Sequence, residues 1–137
     1  MWEVLAEVLL DPSGAFDEVR DRRRERAVRR LAAAGKLACA LRVVDGVQPG
    51  LRRRWRRGAA RVPTGFLLFE PRSAWGARVR IVVRSATLAP AWDVPRRRPR
   101  ALATQARLIV LVTPGATLEW LVPEEQVRRA MGVVSRS

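Results

Sequence analysis

The chain is expected to fold as a mainly β, α+β domain: a small bent antiparallel β-barrel closed by a C-terminal helix, with an N-terminal helical arm. Three observations predict this. The apolar period switches from helical to two near residue 37. Short apolar runs separated by tight-turn residues then follow one another to about residue 121. Finally, a proline and two glutamates open an amphipathic segment near the end. Residues 1–34 are read as the arm and residues 35–137 as the barrel with its helix.

In the arm, Val4, Leu5, Val8 and Leu9 share one face of a short helix, which Asp11-Pro12-Ser13-Gly14 breaks. A second helix is expected from about Ser13 to Ala34. Asp17, Glu18 and Asp21 lie in its early turns, where the helix dipole favours acids, and Gly35 is placed to end it. Phe16, Val19, Ala27, Val28 and Leu31 form a thin apolar stripe. Seven arginines cover the rest, with Asp21–Arg24 and Glu25–Arg29 spaced as ion pairs.

Leu37, Cys39, Leu41 and Val43 alternate as the inner face of the first strand. Asp45-Gly46 and Pro49-Gly50 mark a turn region, and residues 55–62 form the second strand. Pro63-Thr64-Gly65 turns the chain tightly into a third strand at Phe66–Glu70. Arg78, Arg80, Val82 and Arg84 alternate with Val79, Ile81 and Val83 in the most regular amphipathic strand of the chain. A further strand at Ala86–Trp92 is limited by Pro90. Leu108–Thr113 is apolar enough for a buried strand, and Pro114-Gly115 suits a type II turn into Thr117–Leu121. Pro123, Glu124 and Glu125 start the last helix, on which Val127, Ala130, Met131 and Val134 face one way and which Gly132 is placed to end. Six or seven consecutive strands followed directly by a helix match the pleckstrin-homology-like architecture better than an oligonucleotide-binding barrel.

Composition excludes most catalytic chemistry. The 137 residues contain no histidine and one cysteine. This removes imidazole acid–base catalysis, Ser-His-Asp and Cys-His arrangements, and His-containing or Cys-only metal sites. No glycine-rich phosphate loop is present. The acids Asp45, Glu70, Asp93, Glu119, Glu124 and Glu125 form no motif and read as turn residues or arginine partners. Cys39 reads as a small buried apolar side chain. No enzyme activity, cofactor, metal or small-molecule substrate is expected. Trp2–Leu10 is too short and too charged to span a bilayer, and a cytoplasmic protein, peripheral at the inner membrane face, is the expectation.

Charge carries the functional signal. Lys and Arg number 27 against 13 Asp and Glu, a net charge of +14, and Lys36 is the one lysine. A GC-rich genome accounts for arginine over lysine but not for the excess of base over acid, which favours an anionic partner. Arg52, Arg53, Arg54, Arg56 and Arg57 surround Trp55 with no acid between Asp45 and Glu70. Arg96, Arg97, Arg98 and Arg100 follow Trp92 with no acid between Asp93 and Glu119. Both runs fall in strand-end loops, so they are the candidate anion- or partner-binding residues. Arg22, Arg23, Arg26 and Arg30 on the second helix form a secondary basic face. Trp55, Trp92 and Trp120 read as core residues, although tryptophan beside arginine also suits base stacking or a membrane interface.

From about Gly35 to Val134 the chain resembles a group of small actinobacterial proteins of unknown function, described as an N-terminal membrane helix followed by a pleckstrin-homology-like domain. The matching residues are Cys39-Ala40-Leu41-Arg42, Trp55–Val62, Gly65-Phe66-Leu67, Pro71-Arg72, Arg84, Arg98-Pro99 and Leu118-Glu119. The resemblance implies the same barrel, with no catalytic residues to transfer. Residues 1–34, amphipathic and charged, stand where that family carries its membrane helix. The expected function is a non-catalytic adaptor that docks on an acidic protein or an anionic lipid surface, with a nucleic-acid-binding accessory protein as the alternative.

Overall fold

A computed structural model describes residues 15–72, 76–95 and 105–134. It shows a mainly β chain with seven antiparallel strands: β1 (Leu37–Gly46), β2 (Arg56–Arg61), β3 (Phe66–Pro71), β4 (Val79–Val82), β5 (Ser85–Leu88), β6 (Ala106–Val112) and β7 (Ala116–Pro123). Helix α1 (Ala15–Ala33) precedes them and the short helix α2 (Val127–Met131) follows. The expected helix at residues 1–10 lies outside the described residues.

The strand order is β4-β3-β2-β1-β7-β6-β5. β4 and β5 are therefore opposite edges of the sheet, yet only Val83 and Arg84 separate them in sequence. In a flat sheet those edges would be about 29 Å apart, six inter-strand gaps of about 4.8 Å. Three residue steps reach only about 10 Å, so the sheet must curl into a half-barrel. At the junction, Val83 N–H donates to Gly65 O (3.0 Å) and Arg84 N–H to Val112 O (2.7 Å), tying the corner to both halves.

β1 makes the curl feasible. Residues Leu37–Leu41 pair with β2, and Ala40–Gly46 pair with β7, with a register shift between Val43 and Asp45. One strand thus serves two half-sheets, and the irregularity falls where the strand must bend.

Two apolar clusters hold the fold. The inner one contains Leu37, Cys39, Leu41, Leu67, Phe69, Ile81, Ile109, Leu111, Leu118, Trp120 and Val122. Trp120, the largest fully buried side chain, pairs in register with Leu41 and Ile109. Burying each large apolar side chain contributes roughly 1.5–3 kcal/mol. Ala130 and Val133 join this cluster, and Gly65 N–H donates to Val133 O (2.7 Å), so the C-terminal segment closes one end. The second cluster lies on the outside, where Val28 and Leu31 of α1 meet Ala38, Ala40, Ala106, Leu108 and Leu121. This buries both faces of β1 at its start, not the single face its alternation predicts. Among the described side chains, the C-terminal part of the expected α1 stripe packs: Val28 is buried, whereas Ala27 is exposed and Val19 is 48% exposed; Phe16 lies outside the described side chains.

Two local expectations change. Pro123 ends β7 in an extended conformation, so the closing helix shortens to α2, flanked by 3-10 turns at Glu124–Gln126 and Gly132–Val134. Gly115 lacks the positive φ that a type II turn requires. There the link is closed by Thr113, whose N–H (2.9 Å) and hydroxyl (3.2 Å) both donate to Ala116 O. As Pro90 leads one to expect, the fifth strand is an edge strand that ends early, at Leu88.

Gly58 sets a testable constraint. A β-carbon there would stand 2.2 Å from Glu70 O and 2.8 Å from the Phe69 ring. Gly58→Ala should lower unfolding free energy by about 1–3 kcal/mol through overpacking. Gly132→Ala, at a helix-compatible position with nothing within 4 Å of the new carbon, should be neutral or slightly stabilising. Urea unfolding of the two variants checks the contrast.

Candidate anion-binding surface

The link from β1 to β2 (residues 47–55) is a shaped loop. Leu51 is buried as its anchor, and Val43 N–H donates to Arg52 O (2.8 Å). With the backbone pinned inward, the side chains of Arg52, Arg53 and Arg54 are exposed. Arg53 Nη1 donates to Val44 O (2.9 Å) and Arg56 Nη1 to Gly50 O (2.5 Å). These carbonyls orient the guanidinium groups without neutralising them. Val47 N–H donates to Gly115 O (3.0 Å), Gly50 packs on Val79, and Gly76 packs on Arg56. The β1–β2 loop, the start of β4 and the β6–β7 turn therefore gather at one end of the barrel.

Trp55 does not project with its arginine neighbours. It is half-buried against the outer cluster, with Arg42 Cζ 4.5 Å from its ring centroid. Glu119 holds Arg42 in turn, accepting from Nε at 2.7 Å and pairing with Nη2 at 2.5 Å. The indole is thus a fixed wall whose one face is already occupied.

The register joins Arg57 to cations that the sequence reading does not single out. Directly opposed residues of an antiparallel pair share a face. Arg57 and Arg61 therefore lie on the outer face of β2, Glu70 and Arg72 beside them along and beyond β3, and Arg78 and Arg80 along β4. Lys36, just before β1, reaches the same face. Six cations and one carboxylate occupy it among the described residues. Glu70 accepts from Lys36 Nζ at 3.0 Å and lies 3.8 Å from Arg78 Nε. Arg57, Arg61, Arg72 and Arg80 make no ion pair with a described carboxylate. Arg80 stacks over Phe66 at 4.3 Å, and Arg72 N–H donates to Arg57 O (2.9 Å), which sets those two arginines side by side. Like charges directly opposite cost a few tenths to about 1 kcal/mol, and an external anion reverses that sign.

Other candidates are placed differently. Arg22, Arg23, Arg26 and Arg30 are exposed along α1, and the expected Glu25–Arg29 ion pair is not formed. Arg96, Arg97, Arg98 and Arg100 lie outside the described residues. Trp92 corrects its expected core role: it is 84% exposed, on the 3-10 turn Ala91–Asp93. Ala89 fills the buried position instead, and Pro90 then turns the chain outward.

The interior offers little reactivity. Burial pushes the Cys39 thiol up to about 12, against the smaller opposing effect of the Trp120 indole N–H facing it. That N–H lies outside true bonding geometry, and with Trp55 Nε1 and Arg107 Nε it is a buried donor lacking an acceptor. No group of three or more metal-ligating side chains is assembled among the described residues. No protein-family model, curated protein or solved structure matches the chain.

The Lys36 hydrogen bond, with the charges of Arg78 and Arg61, holds the Glu70 carboxyl below its ordinary value of 4.5. Glu70 therefore stabilises the fold above that value and loses its contribution as pH falls below it. Glu70→Gln should flatten this part of the acid-unfolding profile, read as urea midpoints between about pH 5 and pH 3.

Proposed function

We propose that the chain is a non-catalytic binding module that docks reversibly on an anionic surface, the inner membrane face or an acidic protein. One observation carries the reading. Arg52, Arg53 and Arg54 on a pinned loop continue into Arg57, Arg72, Arg61 and Arg80 on the adjoining sheet face, and the single carboxylate there is already engaged by Lys36 and Arg78. Near an anionic membrane each such arginine contributes about 1 kcal/mol, enough together for reversible attachment. No described helix is long and apolar enough to cross a membrane, so contact would be lateral. Kinship with the actinobacterial family of membrane-linked barrels belongs to the same proposal.

The nucleic-acid alternative is less well supported by the aromatic rings. Among the described residues, Phe66 and Trp55 beside these arginines each carry a guanidinium on one face, and the exposed ring of Trp92 sits on the turn after β5, whereas single-strand binding uses rows of open rings for stacking.

Sedimentation with phosphatidylglycerol vesicles tests the reading. The wild type should pellet with them and not with neutral vesicles. The triple reversal R52E/R53E/R54E should weaken binding at least a hundredfold, from about 1 kcal/mol per lost arginine. Undiminished vesicle binding removes this loop from the site. Salt-steep binding of RNA or DNA without vesicle binding favours the alternative.

A further inference from the structure

Three segments far apart in sequence meet at Gly35, at the barrel end away from the β1–β2 loop. Gly35 terminates α1 with φ +80°, a left-handed conformation suited to glycine. Arg61 closes β2, which is adjacent because Leu37 pairs with Ala60. Arg129 projects from α2, which packs at this end through the bond from Gly65 N–H to Val133 O. A β-carbon at Gly35 would lie 3.5 Å from Arg129 Nη2 and 3.7 Å from Arg61 Nη1, with no other contact within 4 Å. Two guanidinium groups therefore converge on an open position.

Neither forms an ion pair with a described carboxylate. Glu70, which also feels the charge of Arg61, is held at 3.0 Å by Lys36 and lies 3.8 Å from Arg78. The carbonyls of Arg30, Leu31 and Ala32 at the end of α1 already accept from Ala34, Gly35 and Lys36. The α1 dipole supplies about half a negative charge there against two full positive charges, so a strong positive excess remains. Guanidinium forks match the oxygens of a phosphate and bind it in bidentate fashion.

We infer that Arg61 and Arg129, meeting at Gly35, form a binding site for a phosphate monoester or free phosphate dianion. Arg61 also belongs to the outer face proposed for docking, but the site lies at the opposite end from the Arg52–Arg54 loop and does not rest on the role of that loop.

The inference has a pH signature. The charged groups on the elements that meet here are Arg30 and Lys36 around the end of α1, Arg57 and Arg61 on β2, Glu124, Glu125, Arg128 and Arg129 on the C-terminal segment, and Glu70 beside Lys36. Glu70 ionises below its ordinary range. The chain has no histidine, and Cys39 is pushed up to about 12. A rise in affinity through about pH 6 therefore comes from the second ionisation of the ligand.

Calorimetric titration with inorganic phosphate and with phenyl phosphate, at constant ionic strength and two pH values, tests the site. Binding should be tighter at pH 7.5 than at pH 5. Arg61→Gln and Arg129→Gln should each weaken it about tenfold or more. Arg61→Lys should weaken it too, because the fork is lost while the charge is kept. Arg84→Gln, an exposed arginine elsewhere with the same charge change, should bind as the wild type does. Thermal melts confirm that each variant is folded. Vesicles of phosphatidic acid and phosphatidylglycerol at matched surface charge separate the sources: a phosphatidic-acid preference lost in R61Q/R129Q identifies a lipid headgroup, and binding of free phosphate without that preference identifies a soluble ligand. No phosphate binding by the wild type, or equal binding by R61Q/R129Q and R84Q, overturns the inference.

Discussion

The two-residue link between opposite edges of a seven-stranded sheet governs this molecule. Val83 and Arg84 cannot span an open sheet, so curvature is imposed by covalent reach before any side chain contributes. The remaining architecture answers that demand. β1 bends and divides its pairing between two partners, small residues line the outer face where α1 lies against it, and the bulky side chains fill the concave side. Curling also sorts the connections. The β1–β2 and β6–β7 links meet at one end, and α2 with the β2–β3 turn closes the other.

Charge is distributed on this frame by the same logic. The two acids set firmly into the sheet, Glu70 and Glu119, each hold a specific cation in place: Lys36 at the exit of α1, and Arg42 over Trp55. They serve as braces, and the basic excess is left to the outer face of β2–β4, the loop before β2 and the meeting point at Gly35. Buried polar groups are few, and the thiol among them is held in its neutral form.

Much of the fold was legible because strand patterning is local. The alternation through Leu37–Val43 and Arg78–Arg84, the turn at Pro63-Thr64-Gly65 and the helix stop at Gly35 each follow from residues within a few positions of one another. The misreadings arose where tertiary context decides. Trp92 looks like a core residue by hydrophobicity, but Ala89 takes the buried position and Pro90 redirects the chain. Pro123 has the right φ for a helix start and equally the right φ for an extended strand end. For the candidate site, the run at Arg52–Arg57 was visible as a cluster. Its continuation through Arg61, Arg72 and Arg80 depends on register, and the approach of Arg129 to Arg61 depends on the closure of the barrel. Neither leaves a trace in sequence spacing.

The brevity of the sheet's margins bears on how any partner can be read. β4 and β5 are four residues each, and the corner between them has its amide groups committed to Gly65 and Val112. Strand addition, in which a visiting peptide extends the host sheet through main-chain bonds, needs a longer exposed margin than this. The docking proposed above would therefore rely on side chains presented on the surface, and the same shortness disfavours edge-to-edge stacking of copies of a sheet rich in apolar strands.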